Sequence, residues 1–562
     1  MKKTKRRIEC NSVLDVVLAN TGKTTSNFFE YQTKKYEIDK LNDAVSLIRC
    51  ALFDDDAITV VGDYDADGIT ASAILKLLFD TLGANITIRL PRRFSEGYGL
   101  SEKIIDEIDS GLLITVDNGV VAIDAIKKAK EKGLKVIVID HHLGMEDGTL
   151  PDAEVIIDPN AIANSATFNS YCGAGLSYKL AEAFLGSVHP MMKKITSLAA
   201  IGTIADVMPL VEENRLIVEN GLKYMTTDAG RTAGLGALLT EYNIEKHLIA
   251  KDVGFKIGPA INAPGRLFDD GAMRAFELLS FDGYWKHAVI LAKQLVEYNN
   301  TRKKLAAEGT AKVEQNIERN GLIGNVPLAI YEPGLPEGLV GIFAGRIAEK
   351  YKTPCLILTD SEDPKILKGS ARSYGDVHLK NILDAHAELL TKYGGHAEAA
   401  GLSLERENFE EFARVIQEGV EMTIPDLDEI IYDLEIEAKD IPDVIMELDK
   451  YAPYGEGNPE IIFSIKDVDL FPGPRGFYDT MGDEKQHLKL YAKHADIIAF
   501  DAASKYLEAE EPRRVSLVGS ISKNTWHAKI TPQIECIDFE AVKNTVQSTP
   551  LAALLAKMGS ER

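Results

Sequence analysis

The stretch AITVVGDYDADG, residues 57 to 68, runs from β-branched apolar residues through a glycine into aspartates at 63, 65 and 67. A helix-patterned stretch follows at about 69 to 82. Working outward, LLITV (112–116), KVIVI (135–139) and EVII (154–157) are further short apolar runs, and 120 to 132 is again helix-patterned. This alternation predicts a parallel, doubly wound sheet. In such sheets functional side chains gather beyond the carboxyl ends of the strands, and here the strands run into GDYDADG, DNG, DHH and DPN.

Three carboxylates at i, i+2 and i+4, read as continuing the strand, would share one side and repel one another unless a cation intervenes. Asp117, His141 and Asp206, the last closing the helix pattern ITSLAAIGTIAD at 195–206, extend the set to mixed oxygen and nitrogen donors. Such a set suits manganese or magnesium better than zinc, and its size suits two ions. Any one aspartate is as readily a turn or a helix cap; the argument lies in the conjunction. Adjacent histidines after a strand point in different directions. One can therefore ligate metal while the other reaches substrate or a supporting carboxylate such as Asp140. The expected chemistry is metal-assisted in-line attack of water on a phosphodiester, with no protein nucleophile.

At 562 residues the chain is too long for a single core. The expected divisions are an N-terminal extension (1–45), a catalytic domain (46–282), a connector helix (283–322), a smaller α/β domain (323–425), a β-barrel domain (426–545) and a tail (546–562). The connector pattern spans roughly 50 Å at 1.5 Å per residue. With 45% apolar and 27% charged residues the composition is globular, and five scattered cysteines without a CxxC pair suggest neither a disulfide framework nor a zinc ribbon. No long apolar run is present, so the expectation is a cytoplasmic chain that does not meet a membrane. A net charge of −23 argues against sequence-blind coating of a polyanion, so any nucleic-acid contact must be local. Arg89, Arg92 and Arg93, or Arg302, Lys303 and Lys304, could supply it, although a charge run is more often a solvated face. Tyr98 and Phe94 are candidates for stacking on bases. His396 in GGHAEAAG is a candidate anion donor, since the glycines let backbone approach closely.

The ordered motifs GDYDADG, DNG, DHH, GTIADVMPL with ENR, and GPAINAPGRL resemble the DHH phosphoesterase superfamily, and within it the RecJ single-strand DNA exonucleases. NNTRKKLAAE, GLVGIFAGRIAEKY, KGSARS and GGHAEAAG are similar to the DHHA1 substrate domain, and APYGEGNP opens a region similar to an OB fold. The resemblance covers about residues 40 to 540. It implies metal ligation by Asp63 or Asp65, Asp67, Asp117, His141 and Asp206, with His142 beside the scissile phosphate and Asp117 bridging. It also implies a grip on a terminal 5′-phosphate by Arg93, Ser370 and Arg372, with Arg266 a further candidate, and places Trp526 in the single-strand-binding stretch. The implied activity is 5′-to-3′ release of mononucleotides from single-stranded DNA, in repair and recombination, by a monomer. A single-strand-binding protein and a RecQ-type helicase are the implied partners. Rival readings are a DHH hydrolase acting on oligoribonucleotides, cyclic dinucleotides or phosphoadenosine phosphate, and an inactive single-strand-binding scaffold.

Overall fold

Five parallel strands form the first sheet, in the order Ile86–Arg89, Ile58–Val61, Leu112–Val116, Lys135–Ile139 and Val155–Ile157. The computed structural model describes residues 2–7, 9–163, 165–418, 420, 422, 429–482, 484–526 and 529–542. Ile58–Val61 comes first in the chain yet lies inside the sheet. The chain leaves it toward Ile86–Arg89 on one side and then crosses to Leu112–Val116 on the other. That reversal is the switch point at which doubly wound sheets open a crevice. The near-continuous apolar runs reflect burial on both faces: Ile137 and Ile139 join one core, Val136 and Val138 the other. ITIR at 86–89, not anticipated as a strand, supplies the edge from which the 90–100 loop departs.

The aspartate motif does not continue the strand. Strand pairing ends at Val61, and the helix Ala66–Thr81 starts earlier than its periodicity suggests, because Asp65 caps it. The Asp65 carboxylate accepts from the amides of Asp67 (3.0 Å) and Gly68 (3.2 Å). The three aspartates are thus brought together by a strand–turn–helix, not by strand alternation. Gly173–Leu185 and Met192–Ala205 pack around the same helix within one apolar core.

Trp285–Arg319 is a single 35-residue helix. Ala288, Ala292 and Leu295 on its buried stripe enter the core of the first sheet, whereas Ala306, Val313 and Ile317 enter a second core. The second sheet runs Lys392–Gly395, Ala399–Glu405, Ile366–Arg372, Cys355–Asp360 and Leu328–Tyr331; only the last pair is parallel. Lys392–Gly395, which the sequence pattern missed, is the first arm of a hairpin built by GGHAEAAG. Both lobes and the helix form one compact unit, residues 29–426 with 455–457.

Among the described residues, the other unit combines those from 2 to 28 with those at 429–454 and 458–542. Its mixed seven-stranded sheet runs Leu434–Glu437, Ile462–Asp469, Arg514–Trp526, Lys529–Ala541, Asp496–Ala499, His487–Tyr491 and Tyr478–Met481. The strand Lys3–Arg6 pairs in parallel with Glu429–Tyr432, and Val13, Val16 and Val17 of the following helix share a core with Phe463 and Phe539. The region expected as one extension to residue 45 is therefore divided. Its first part completes the C-terminal unit, and Tyr31, Tyr36 and Ile38 join the catalytic core. Local periodicity cannot reveal a strand partner more than 400 residues away. The expected tail, 546–562, lies outside the described residues. Among those described, no helix is long and apolar enough to cross a membrane.

Candidate active site

The carboxyl ends of adjacent strands deliver the acids and imidazoles to one place. Asp63 follows Ile58–Val61, Asp117 follows Leu112–Val116, and His141 and His142 lie just beyond Lys135–Ile139. Asp206 arrives from the end of Met192–Ala205. Ligand atoms of Asp63, Asp65 and Asp117 lie within 4.8 Å of one another, as do those of Asp67, His141 and Asp206, and those of Asp117, His141 and His142. His141 Nε2 faces Asp117 Oδ1 at 3.0 Å, Asp206 Oδ2 at 3.7 Å and Asp67 Oδ2 at 3.8 Å.

This is a costly arrangement for bare charges. Burial first, and then the like charge of neighbouring carboxylates, pushes Asp63, Asp65, Asp117 and Asp206 above the ordinary carboxylate range. Burial also lowers the pKa of His141, leaving a neutral imidazole. Five acids and a neutral imidazole are a hard, oxygen-rich donor set that fits manganese or magnesium. The backbone is strained on both sides: Asp117 (φ 62°) and the β-branched Val207 (φ 55°), next to Asp206, occupy the left-handed region.

Supporting contacts set the ligand positions. Asp140, buried, accepts from the amides of His141 (2.8 Å) and Val120 (2.9 Å) and pairs with His142 Nδ1 at 2.7 Å. Burial alone would lower the pKa of His142, but this hydrogen bond and charge raise it to about 9. The ring of His142 is exposed, whereas His141 is buried. Asn118 donates to the carbonyls of Val116 (2.9 Å) and Val61 (3.2 Å) and accepts from Leu100 (3.1 Å), tying two strand ends to the 90–100 loop. Asp67 accepts from the amides of Gly173 (2.6 Å) and Ala174 (2.9 Å) at the start of a 13-residue helix. A Cβ at Gly173 would sit 2.5 Å from Asp117 Cβ and 3.0 Å from Asp67 Oδ2, so only glycine admits that helix end.

A basic cluster stands in the same compact unit. The Arg93 guanidinium lies 4.7 Å over the ring of Tyr64, the residue between Asp63 and Asp65. Tyr64 in turn packs on Tyr98, centroids 5.3 Å apart. Arg266 donates to the carbonyl of Gly338 (3.4 Å), and burial followed by the charge of Arg93 lowers its pKa to about 10. Arg372 donates to Ser370 Oγ (3.0 Å) and to the carbonyl of Ala371 (2.8 Å), its pKa lowered by burial. Among the described residues none of these arginines pairs with a carboxylate. Tyr98 is 70% exposed, while Phe94 is half-buried. His396 sits at the exposed tip of its hairpin, where its amide donates to Ala399 and its Nδ1 accepts from Glu398; no hydrogen bond joins it to the arginines among the described residues. The side chain of Trp526 lies outside the described residues.

Sequence reading overlooked Tyr64, Asn118 and Gly173. The first two sit inside quoted motifs and could have been found there. Gly173, 106 residues from Asp67, carries no local signal.

A switch-point crevice with carboxylates and an adjacent histidine pair defines a metal-dependent phosphoesterase. Residues 57–203 match the DHH family, N-terminal domain, residues 325–422 the DHHA1 domain, and residues 432–538 the RecJ OB domain. The chain belongs to the RecJ family of single-stranded-DNA-specific exonucleases. It is 36% identical to RecJ of Salmonella typhimurium over 76% of this chain and 78% of that protein. With RecJ of Bacillus subtilis it shares 31% identity over 89% of this chain, spanning 63% of that longer protein. Thermus thermophilus RecJ, crystallised with Mn2+, superposes with a TM-score of 0.76 at 27% identity, covering 94% of this chain and 76% of that one. A magnesium complex of the same protein is also similar, with a TM-score of 0.70 and 26% identity over 94% of this chain and 74% of that one.

Proposed function

We propose that this chain hydrolyses single-stranded DNA from its 5′ end, releasing 5′-mononucleotides. The observation that carries the reading is the pairing, within one compact unit, of the acid and imidazole cluster with arginines that no carboxylate neutralises. Asp63, Asp65 and Asp117 on one side, and Asp67, His141 and Asp206 on the other, are the residues that would hold two manganese or magnesium ions. Such ions supply a lowered pKa for attacking water and screening of the phosphate's negative charge.

The remaining chemistry belongs to the protein. The hydrogen bond that His142 Nδ1–H donates to the Asp140 carboxylate, with that carboxylate's charge, favours a cationic His142 at neutral pH, so its Nε2–H is free to donate to a non-bridging phosphate oxygen. Arg93, Arg266 and Arg372, with Ser370, are suited to a terminal phosphate, whose extra charge distinguishes a 5′ end from an internal linkage. Tyr98 offers an exposed ring to a base and reads no sequence. The same chemistry fits a cytoplasmic role in DNA repair and recombination, as a monomer acting on strands opened by a helicase and coated by a single-strand-binding protein. Five free thiols agree with a reducing compartment.

The test is digestion of single strands labelled at either end, in manganese. Label at the 5′ end should be released first, as a mononucleotide. Release from the 3′ end first, or equal cutting of RNA, sinks the proposal.

A further inference from the structure

The buried stripe of the long helix Trp285–Arg319 repeats at intervals of three and four: Ala288, Ala292, Leu295, Asn299, then Ala306, Gly309 and Val313. The position that continues the repeat between Asn299 and Ala306 is 302, and there the stripe carries an arginine. Its place is the junction of two cores, since Leu295 belongs to the core of the first lobe and Ala306 to that of the second. Lys303 and Lys304, beside it in sequence, are exposed, and Lys304 lies 3.9 Å from Glu308. They behave as a solvated face; Arg302 does not.

Arg302 is half-buried and built in. Its Nε donates to Asn299 Oδ1 (3.1 Å), and the buried amide of Asn299 donates to the hydroxyl of Tyr242 (2.9 Å). Nothing opposes its charge: among the described residues it pairs with no carboxylate. Its surroundings are themselves basic. The helix packs against Gly258–Leu267, which carries Arg266, and against Val340–Tyr351, which carries Arg346. Gly309 makes the second approach possible, since a Cβ there would meet the Phe343 ring at 2.4 Å. Arg346 reaches back to Thr310 Oγ1 (3.5 Å). Burial and then the charge of Arg346 lower the pKa of Arg302, and Arg302 in turn helps lower that of Arg266. A desolvated cation among like charges, where the pattern calls for an apolar residue, costs stability unless an anion answers it.

We propose that Arg302 holds a backbone phosphate of the single strand, at the junction of the two lobes and next to the terminal-phosphate arginines. It is a positioning residue, gripping strand that is not yet being cut. The inference rests on the nuclease reading above and extends it to a second phosphate.

The test compares wild type with Arg302→Met, Arg302→Lys and the exposed control Lys303→Met. Digestion of long single strands by wild type comes first, because its failure would remove the nuclease reading and not this assignment alone. Arg302→Met should raise KM for long single-stranded DNA about tenfold with kcat within twofold, and should not lower Tm. Its salt dependence of binding should lose one phosphate contact, a change of about 0.7 in the slope of log affinity against log salt. Arg302→Lys should recover most of the affinity, and Lys303→Met should match wild type. A fall in kcat at unchanged KM, a lowered Tm, an unchanged salt slope, or a lysine variant as poor as methionine would each overturn it in favour of a structural role.

Discussion

Replacing Gly173 by alanine is the sharpest probe of the metal centre, because the variant touches no ligand chemically. The added Cβ would lie 2.5 Å from Asp117 Cβ and 3.0 Å from both Asp117 Cα and Asp67 Oδ2. Carbon atoms settle at about 3.5–4.0 Å, so the helix start and the Asp117 turn must part by about 1 Å. That movement draws the Gly173 and Ala174 amides away from Asp67, whose two hydrogen bonds are 2.6 and 2.9 Å. Misplacement of about 1 Å in a reaction centre costs on the order of 10²-fold in rate. Gly173→Ala should therefore lose about that factor in kcat/KM on 5′-phosphorylated single strands, and should need more manganese for half-maximal activity. Gly401→Ala, where a Cβ meets nothing within 4 Å, is the control. Manganese titrations of activity and of intrinsic fluorescence, with Tm for each protein, separate a displaced site from a lost fold. A Gly173→Ala protein with wild-type rate and wild-type manganese affinity would refute the close packing of helix start and ligands.

Asp117→Asn should abolish activity, on the order of 10³-fold or more, and reduce bound manganese by at least one ion in equilibrium dialysis. In metal-free protein it should raise Tm, since it removes one of several crowded buried charges; a lower Tm would contradict that account of their raised pKa values. Arg372→Ala should cost roughly 10- to 100-fold in kcat/KM on 5′-phosphorylated strands, at about 1.5–3 kcal/mol per charged hydrogen bond. The preference over 5′-hydroxyl strands should collapse with it, as paired digestions would reveal. Burial raises the pKa of Asp158 to about 7, and its Oδ2 has no hydrogen-bond partner among the described residues. A carboxyl whose folded pKa exceeds its unfolded value destabilises increasingly as pH rises between the two. Asp158→Asn should thus match wild type below pH 4 in urea melts of metal-free protein and gain on the order of 1–3 kcal/mol at pH 7 and above. A gain that shrinks with rising pH would contradict the assignment.

Much of the site was legible because Asp63, Asp117 and His141, candidate metal ligands, lie within two residues of a strand end and Asp206 closes a helix. A strand ends where its apolar run stops, so Asp117 and His141 announce themselves locally, and Asp206 does so where a helix pattern closes. The aspartate triplet was also visible, but its geometry was not. Asp65 turns out to cap a helix, and a cap depends on hydrogen bonds to residues 67 and 68 that periodicity does not encode. The edge strand Ile86–Arg89 and the hairpin arm Lys392–Gly395 escaped notice because four residues are too few to show a pattern.

The alternating strands and helices of the first lobe, the donor types at their ends and the length of the joining helix follow from residues near one another in the chain. Which side chains meet depends on packing across the fold. Gly173 closes on Asp67 from 106 residues away, Lys3–Arg6 finds its partner beyond residue 428, and Arg302 becomes an inward cation because two cores meet beneath it. Those contacts follow from packing, which joins positions that no local spacing relates.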